Sequence, residues 1–274
     1  MTSPEQRDGR GGDGGVRELL RAPLSAVLFL TRIPCPSWVG GDPVYLARST
    51  VYFPLVGALV GALGALVYAF ALRGWNPIVA GILAVVTTVW VTGAFHEDAL
   101  ADACDGFGGG WEPAQVLTIM KDSRIGSYGS VGLMLVLLAR VSALAMLGGD
   151  GAMAAAQALV VGHTLGRWSS LPLIRFLPYV SAEGARNRPF AASVTDARLV
   201  VGTLLSAAVT VFALHDSGPV AILAASTCAL VVTMIAGRYF WRRLRGMTGD
   251  CLGAANQFVE LSVYLVLASA WVRG

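Results

Sequence analysis

Seven stretches of this chain are apolar enough to cross a bilayer as helices: residues 51–73, 76–96, 127–147, 152–175, 199–214, 220–237 and 252–271. About 20 apolar residues span the hydrocarbon layer in helical form, and lipid accepts only backbone whose polar groups are satisfied internally. The runs therefore predict an all-α fold, a polytopic membrane helical bundle of about seven transmembrane helices. The fifth and sixth runs are short. Only 14% of the residues are charged, against about 25% in soluble domains.

The apolar run around Leu24 to Leu30 is too short to span. Arg17 and Arg21 precede it, and the two prolines of TRIPCP end it. It reads as an N-terminal interfacial or re-entrant helix. Residues 1–15 are polar and Gly-rich and read as a disordered tail. Residues 16–274 then form a single integral membrane domain. No signal peptide is expected, because the first apolar run starts late and has no small-residue cleavage site. Cys35, Cys104, Cys228 and Cys251 include no C-x-x-C pair, so they read as reduced structural thiols.

Placing the N-terminus in the cytoplasm puts residues 97–126, 176–198 and 238–251 there too. That side and its helix edges then hold all but four of the 20 Lys and Arg residues. Arg73 and Arg273 fall on the other side, and Arg140 and Arg167 fall within helices. The positive-inside rule predicts an N-in, C-out protein of the cytoplasmic membrane, with loop 97–126 facing the cytoplasm.

That loop carries the polar chemistry. Residues 96–126, HEDALADACDGFGGGWEPAQVLTIMKDSRIG, include Glu97, Asp98, Asp102, Asp105 and Asp122. If the second span continues as helix through Asp105, then Asp98, Asp102 and Asp105 lie within an arc of about 60°. Three carboxylates on one stripe repel one another and call for a hard cation such as Mg²⁺. Glu97, one position off the stripe, could be a second ligand or a base. Glycines 106, 108, 109 and 110 end the helix and let backbone approach a ligand. Pro113 opens a short helix with Val116, Ile119 and Met120 on an apolar face, expected to lie on the membrane. Asp122 is then a further metal ligand, with Lys121 and Arg124 as phosphate partners. Metal ligands and basic groups beside a Gly-rich turn are what a Mg²⁺-diphosphate site needs. A merely solvated loop would interleave its acids with Lys and Ser, not with Ala, Leu, Cys, Gly and Phe. His96 begins an HExxH pattern that Leu100 breaks, so a zinc protease is not expected.

A second polar segment is RYFWRRLRGMTGDCLGAANQFVE, residues 238–260. Arg238, Arg242, Arg243 and Arg245 read as topology and headgroup contacts. Asp250, between Gly249 and Gly253, stands at the mouth of the last span. Asn256 and Glu260 lie deeper. A carboxylate within a span is a functional suspect; the alternative is pairing with Arg167 or Arg140. Asp250, Glu260 and Arg167 join Lys121 and Arg124 as candidate substrate-binding residues. Gly57 and Gly61 form a GxxxG that signals close helix packing, which leaves a homo-oligomer open.

The blocks HEDALADACDGFGGGW and IMKDSRIGSYG closely resemble the signature of the cobalamin synthase family, the adenosylcobinamide-GDP ribazoletransferases. FLTRIPCP and FPLVGALVGAL are similar to the family's opening blocks, and MTGDCLGAANQFVE to its closing one. The resemblance runs from about Leu24 to the C-terminus; Ala99 stands where a Gly is expected. It implies an inner-membrane, Mg²⁺-dependent enzyme that joins adenosylcobinamide-GDP to α-ribazole, or to α-ribazole 5′-phosphate, and releases GMP. This is the last assembly step of the cobalamin nucleotide loop, and it implies no nucleic-acid partner. On that chemistry Asp98, Asp102 and Asp105 are expected to hold Mg²⁺ on the diphosphate, with Asp122 completing the site. Glu97 or one of the Asp residues would be the general base.

Two other readings stay open at this level. Asp102, Asp105 and Gly106 form the D-x-x-D-G that starts the CDP-alcohol phosphotransferase motif, but Gly109 and Gly110 replace its A-R. A secondary transporter would use Glu260, Arg167 and Arg140 as a midplane ion site, yet the polar residues gather at one surface.

Overall fold

The computed structural model describes residues 13–40, 42–180, 194–269 and 272. Its long elements are all helices. They are α1 (Asp13–Leu30), α2 (Pro43–Ser49), α3 (Phe53–Ala71), α4 (Pro77–Thr92), α5 (Phe95–Gly109) and α6 (Pro113–Met120), followed by α7 (Ser127–Leu147), α8 (Ala152–Phe176), α9 (Asp196–Leu214), α10 (Gly218–Leu244) and α11 (Gly249–Ala268). Residues 1–12 of the expected tail lie outside the described residues, as do Arg186 and Arg188; residues 13–15 open α1.

Among the described residues, four stretches are long and apolar enough to cross a membrane: Pro43–Ala71, Ser127–Leu147, Asp196–Leu244 and Gly249–Ala268. A fifth is added if the pair α4 and α5 counts as one broken span. A helix forms at each of the seven expected runs, and the length-and-apolarity count is lower for two physical reasons. Asp196–Leu244 contains two helices, α9 and α10, parted at Gly218 with φ +83°. The expected span 152–175 forms α8, but His163, Arg167, Ser169 and Ser170 lower its hydropathy. These residues are buried against protein, so α8 need not match lipid.

Helix α8 is the hub, packed on α3, α11, α9 and α10. Gly57 and Gly61 of α3 press on its backbone at His163 and Leu159, where an added Cβ would collide. The GxxxG thus serves a contact within the chain, and the partner is α8. Apolar cores lie on both sides of the hub. One includes Tyr68, Leu144, Leu159 and Tyr264; the other includes Phe53, Leu100, Leu171, Phe240 and Met247. Trp90, Leu135, Phe212 and Ile235 point outward and are exposed, as suits a surface solvated by lipid tails.

The decisive departure is the break between α4 and α5. Gly93 and Ala94 both adopt left-handed backbone, at φ +66° and φ +59°, and α5 leaves α4 at 91°. Arg32 seals the corner: its N–H donates to the Val91 carbonyl at 2.7 Å, and its side chain fills the space a Cβ on Gly93 would need. The expected straight continuation of the second span through Asp105 does not occur. The chain instead turns into the bundle. Glu97, expected at the membrane surface, is consequently buried, with 6% exposure.

Candidate active site

Helix α5 packs between α7 and α11 and climbs from the interior to the end where those helices begin. Asp98, Asp102 and Asp105 share its stripe, as their spacing predicts. Their surroundings differ: Asp98 is exposed, Asp102 half-buried and Asp105 buried.

Asp105 is fully engaged. One carboxylate oxygen accepts the Gly126 N–H at 2.6 Å and the other accepts the Gly129 N–H at 2.8 Å. A carboxylate here matches the unpaired amides and positive dipole end of α7. Gly126 and Gly129 permit the approach, because a Cβ on either would strike the carboxylate. The expected ligand Asp105 therefore acts as a tie between α5 and α7.

Asp98 and Asp102 have no hydrogen bond or ion pair from their side chains to other described residues. Asp102 feels the negative charges of Asp250, Asp98 and Asp105. Asp250 stands in the first turn of α11, after the N-cap Thr248, whose hydroxyl accepts the Cys251 N–H at 3.2 Å. Like charges from two helices, Asp98 and Asp102 of α5 and Asp250 of α11, thus act on one another at this end of the bundle. No group of three or more His, Cys, Asp or Glu side chains among the described residues is placed to hold a metal ion by itself. Mg²⁺ needs none: it commonly takes one or two carboxylates and completes its octahedron with water and phosphate oxygens. The donor chemistry of Asp98, Asp102 and Asp250 fits that pattern.

The segment after α5 is folded against it. Gly106 and Gly110 make room for Met120 and Val116 of α6, and Glu112 and Gln115 cap the start of α6 reciprocally. Beyond α6, Arg124 donates to Asp122 at 2.6 and 3.0 Å. Those hydrogen bonds pull the Asp122 carboxyl down to about 2. These two expected site residues therefore satisfy each other at the surface. Lys121 and Asp250 both act on the Tyr179 phenol, whose pKa is raised first by burial and then by Asp250. Tyr179 is held there by a bridge to Met247.

Arg243 is expected from the sequence to be a topology and headgroup contact. It also donates to the Gly110 carbonyl at 2.6 Å and to the Phe107 carbonyl at 3.3 Å, placing a cation on the C-terminal end of α5. Only the three-dimensional path of α10 reveals this role.

Below the mouth lies a buried ionic network. Arg140 bridges Glu97 at 3.1 Å and the Gln257 side-chain carbonyl at 3.0 Å, and it pairs with Glu260 as well. Arg167 reaches the other Glu260 oxygen at 3.0 Å, and Tyr264 donates to Glu260 at 3.1 Å. Gln257 also donates to Glu97 at 3.1 Å. The two guanidinium and two carboxylate charges cancel, which buried ions require. Pairing of Glu260 with Arg140 or Arg167 was one sequence alternative, and both pairs form. Gln257 was missed, although it lies three residues before Glu260 on the same helical face.

Fold and site define an all-α integral membrane protein with an acidic mouth at one end and balanced charges at its centre. The family model described as CobS, cobalamin-5-phosphate synthase, matches residues 22–268, and the chain belongs to that family. A protein of Albidiferax ferrireducens named adenosylcobinamide-GDP ribazoletransferase is 40% identical, covering 92% of this chain and 98% of its own length. Proteins of the same name from Leptothrix cholodnii and Shewanella pealeana are 44% and 41% identical; they cover 90% and 88% of this chain, and 94% and 92% of their own. No solved structure matches the chain.

Proposed function

We propose that this protein catalyses the transfer for which its relatives are named, the final step of cobalamin nucleotide-loop assembly. A hydroxyl of α-ribazole, or of its 5′-phosphate, attacks the phosphorus on the cobinamide side of adenosylcobinamide-GDP. The bond from that phosphorus to the bridging oxygen breaks, and GMP leaves with the bridging oxygen. The hydroxyl proton passes to a carboxylate of the mouth. The product is adenosylcobalamin or its 5′-phosphate.

One observation supports the site assignment: Asp102 and Asp250, on α5 and α11, each lie within electrostatic reach of Asp98, and Asp98 and Asp102 lack any cationic side-chain partner among the described residues. Mg²⁺ held there would neutralise the diphosphate and the departing charge. Lys121, whose charge reaches the same Tyr179 phenol as that of Asp250, is the basic group assigned to phosphate. Asp105, Asp122 and Glu97 already have partners and are left out of the ligand set. Arg124 is left out of phosphate binding because Asp122 occupies it.

The same end of the bundle bears Arg175, Arg198, Arg243 and Arg245. Arg243 contacts Gly110, and Arg175 pairs with Asp196. This concentration supports a cytoplasmic face for the mouth in a multi-pass inner-membrane protein. The transporter reading is disfavoured because the buried charges cancel in pairs.

The test is GMP release by membranes containing the protein, supplied with adenosylcobinamide-GDP, α-ribazole and Mg²⁺. One GMP per α-ribazole consumed is expected. No GMP at saturating substrate, with CMP released instead from a CDP-alcohol, would replace this reading with the phosphotransferase one.

A further inference from the structure

A cavity of about 140 Å³ opens beside the acidic mouth, between α1, α3, α5, α8 and α11. Its walls include Phe29, Phe53 and Phe95; its polar lining includes His96, Arg167 and Asn256. We propose that this cavity binds the aromatic base of the ribazole substrate and that Asn256 donates to the base's free ring nitrogen, an inference that rests on the transfer reading above.

Three observations point to such a ligand. The first is the wall. Phe29 stacks on Phe53 at 5.9 Å between centroids and meets Phe95 edge-on at 5.4 Å, which makes a surface for a flat ring. Apolar cavities of about 150 Å³ admit benzene, so this one takes a small ring system with its sugar outside. A corrin is far too large.

The second is an unanswered polar group. Asn256 is 1% exposed, and both its amide atoms lack a hydrogen-bond partner among the described residues. His96 Nδ1 is in the same position. Native interiors rarely leave such groups unpaired. The base of α-ribazole is apolar except for one ring-nitrogen acceptor, so the unpaired Asn256 amide close to the phenyl rings is complementary to it.

The third is position. Gly249 lines the cavity and precedes Asp250, while Phe95 and His96 precede Asp98 on α5. A nucleoside with its base in the cavity carries its sugar hydroxyls toward the carboxylates of the mouth.

The experiment uses the full chain in lipid nanodiscs, with α-ribazole binding followed by equilibrium dialysis and KM measured for each substrate by GMP release. Asn256→Leu is expected to weaken α-ribazole binding and raise its KM about tenfold, with the adenosylcobinamide-GDP KM within about twofold of wild type. Gly249→Leu should do the same by adding a bulky side chain to the cavity lining. A Cβ at Gly249 meets nothing within 4 Å, so this variant decides the matter if Asn256→Leu fails to fold. Unchanged α-ribazole binding in a folded variant, or a rise confined to the adenosylcobinamide-GDP KM, overturns the inference. Dialysis separates the two levels. A wild type that binds α-ribazole through Asn256 but releases no GMP refutes the transfer reading alone; a wild type that releases GMP with binding indifferent to both substitutions refutes the cavity alone.

Discussion

Asp105 accepts the backbone N–H of Gly129 at 2.8 Å across 24 positions of sequence, while its second oxygen takes that of Gly126. This contact separates one aspartate of the α5 stripe from its two neighbours. Asp105→Ala removes two hydrogen bonds to a charged acceptor, each worth about 1.5–3 kcal/mol, and should lower the unfolding midpoint in detergent clearly. An unchanged midpoint with lost transfer would return Asp105 to the ligand set.

Asp98→Asn and Asp250→Asn should behave in the opposite way. Each removes a charge from a cluster of like charges, so thermal stability should hold or rise slightly. GMP release should fall by about 100-fold or more, the scale for losing a group that stabilises transition-state charge. Paired measurements of unfolding and turnover on the same preparation check this. Loss of folding in both variants would speak for a structural role.

The Glu260 carboxylate is completely buried between Arg140 and Arg167. Removing one partner of such a pair costs about 3–5 kcal/mol because the remaining charge stays buried. Glu260→Gln and Arg140→Met should each give a sharp drop in the folded fraction recovered from membranes, measured by size-exclusion profile and protease resistance. Wild-type recovery of either would show that water reaches the network.

How much of this was legible beforehand depends on range. The stripe of Asp98, Asp102 and Asp105 follows from helical period alone, and the specific blocks around it carry the family. The break at Gly93 and Ala94 did not show, because a single glycine in an apolar run is ambiguous and left-handed Ala94 has no local signature. That one corner moves Glu97 from surface to interior and lets it meet Arg140, 43 positions away. Asp105 looked like a ligand because its amide partners lie beyond α6. The unpaired amide of Asn256 becomes meaningful only once α1, α3 and α5 enclose it.

Packing of the hub gives a control on the fold. Gly57→Ala places a methyl group against the α8 backbone at His163, and overpacking of this kind costs about 1–3 kcal/mol. Gly74→Ala meets nothing within 4 Å and should change stability by no more than about 0.5 kcal/mol. Thermal unfolding of the two variants side by side tests whether the GxxxG serves α8 packing within one chain.

The most direct test of the acidic mouth is GMP release as Mg²⁺ is titrated into chelator-treated wild-type protein and Asp102→Asn. Wild type should be silent without the metal and recover with saturating Mg²⁺; Asp102→Asn should stay at least about 100-fold slower at every concentration. Full wild-type turnover after chelation, or equal rates and equal Mg²⁺ dependence in the variant, would contradict a metal site built on Asp98, Asp102 and Asp250.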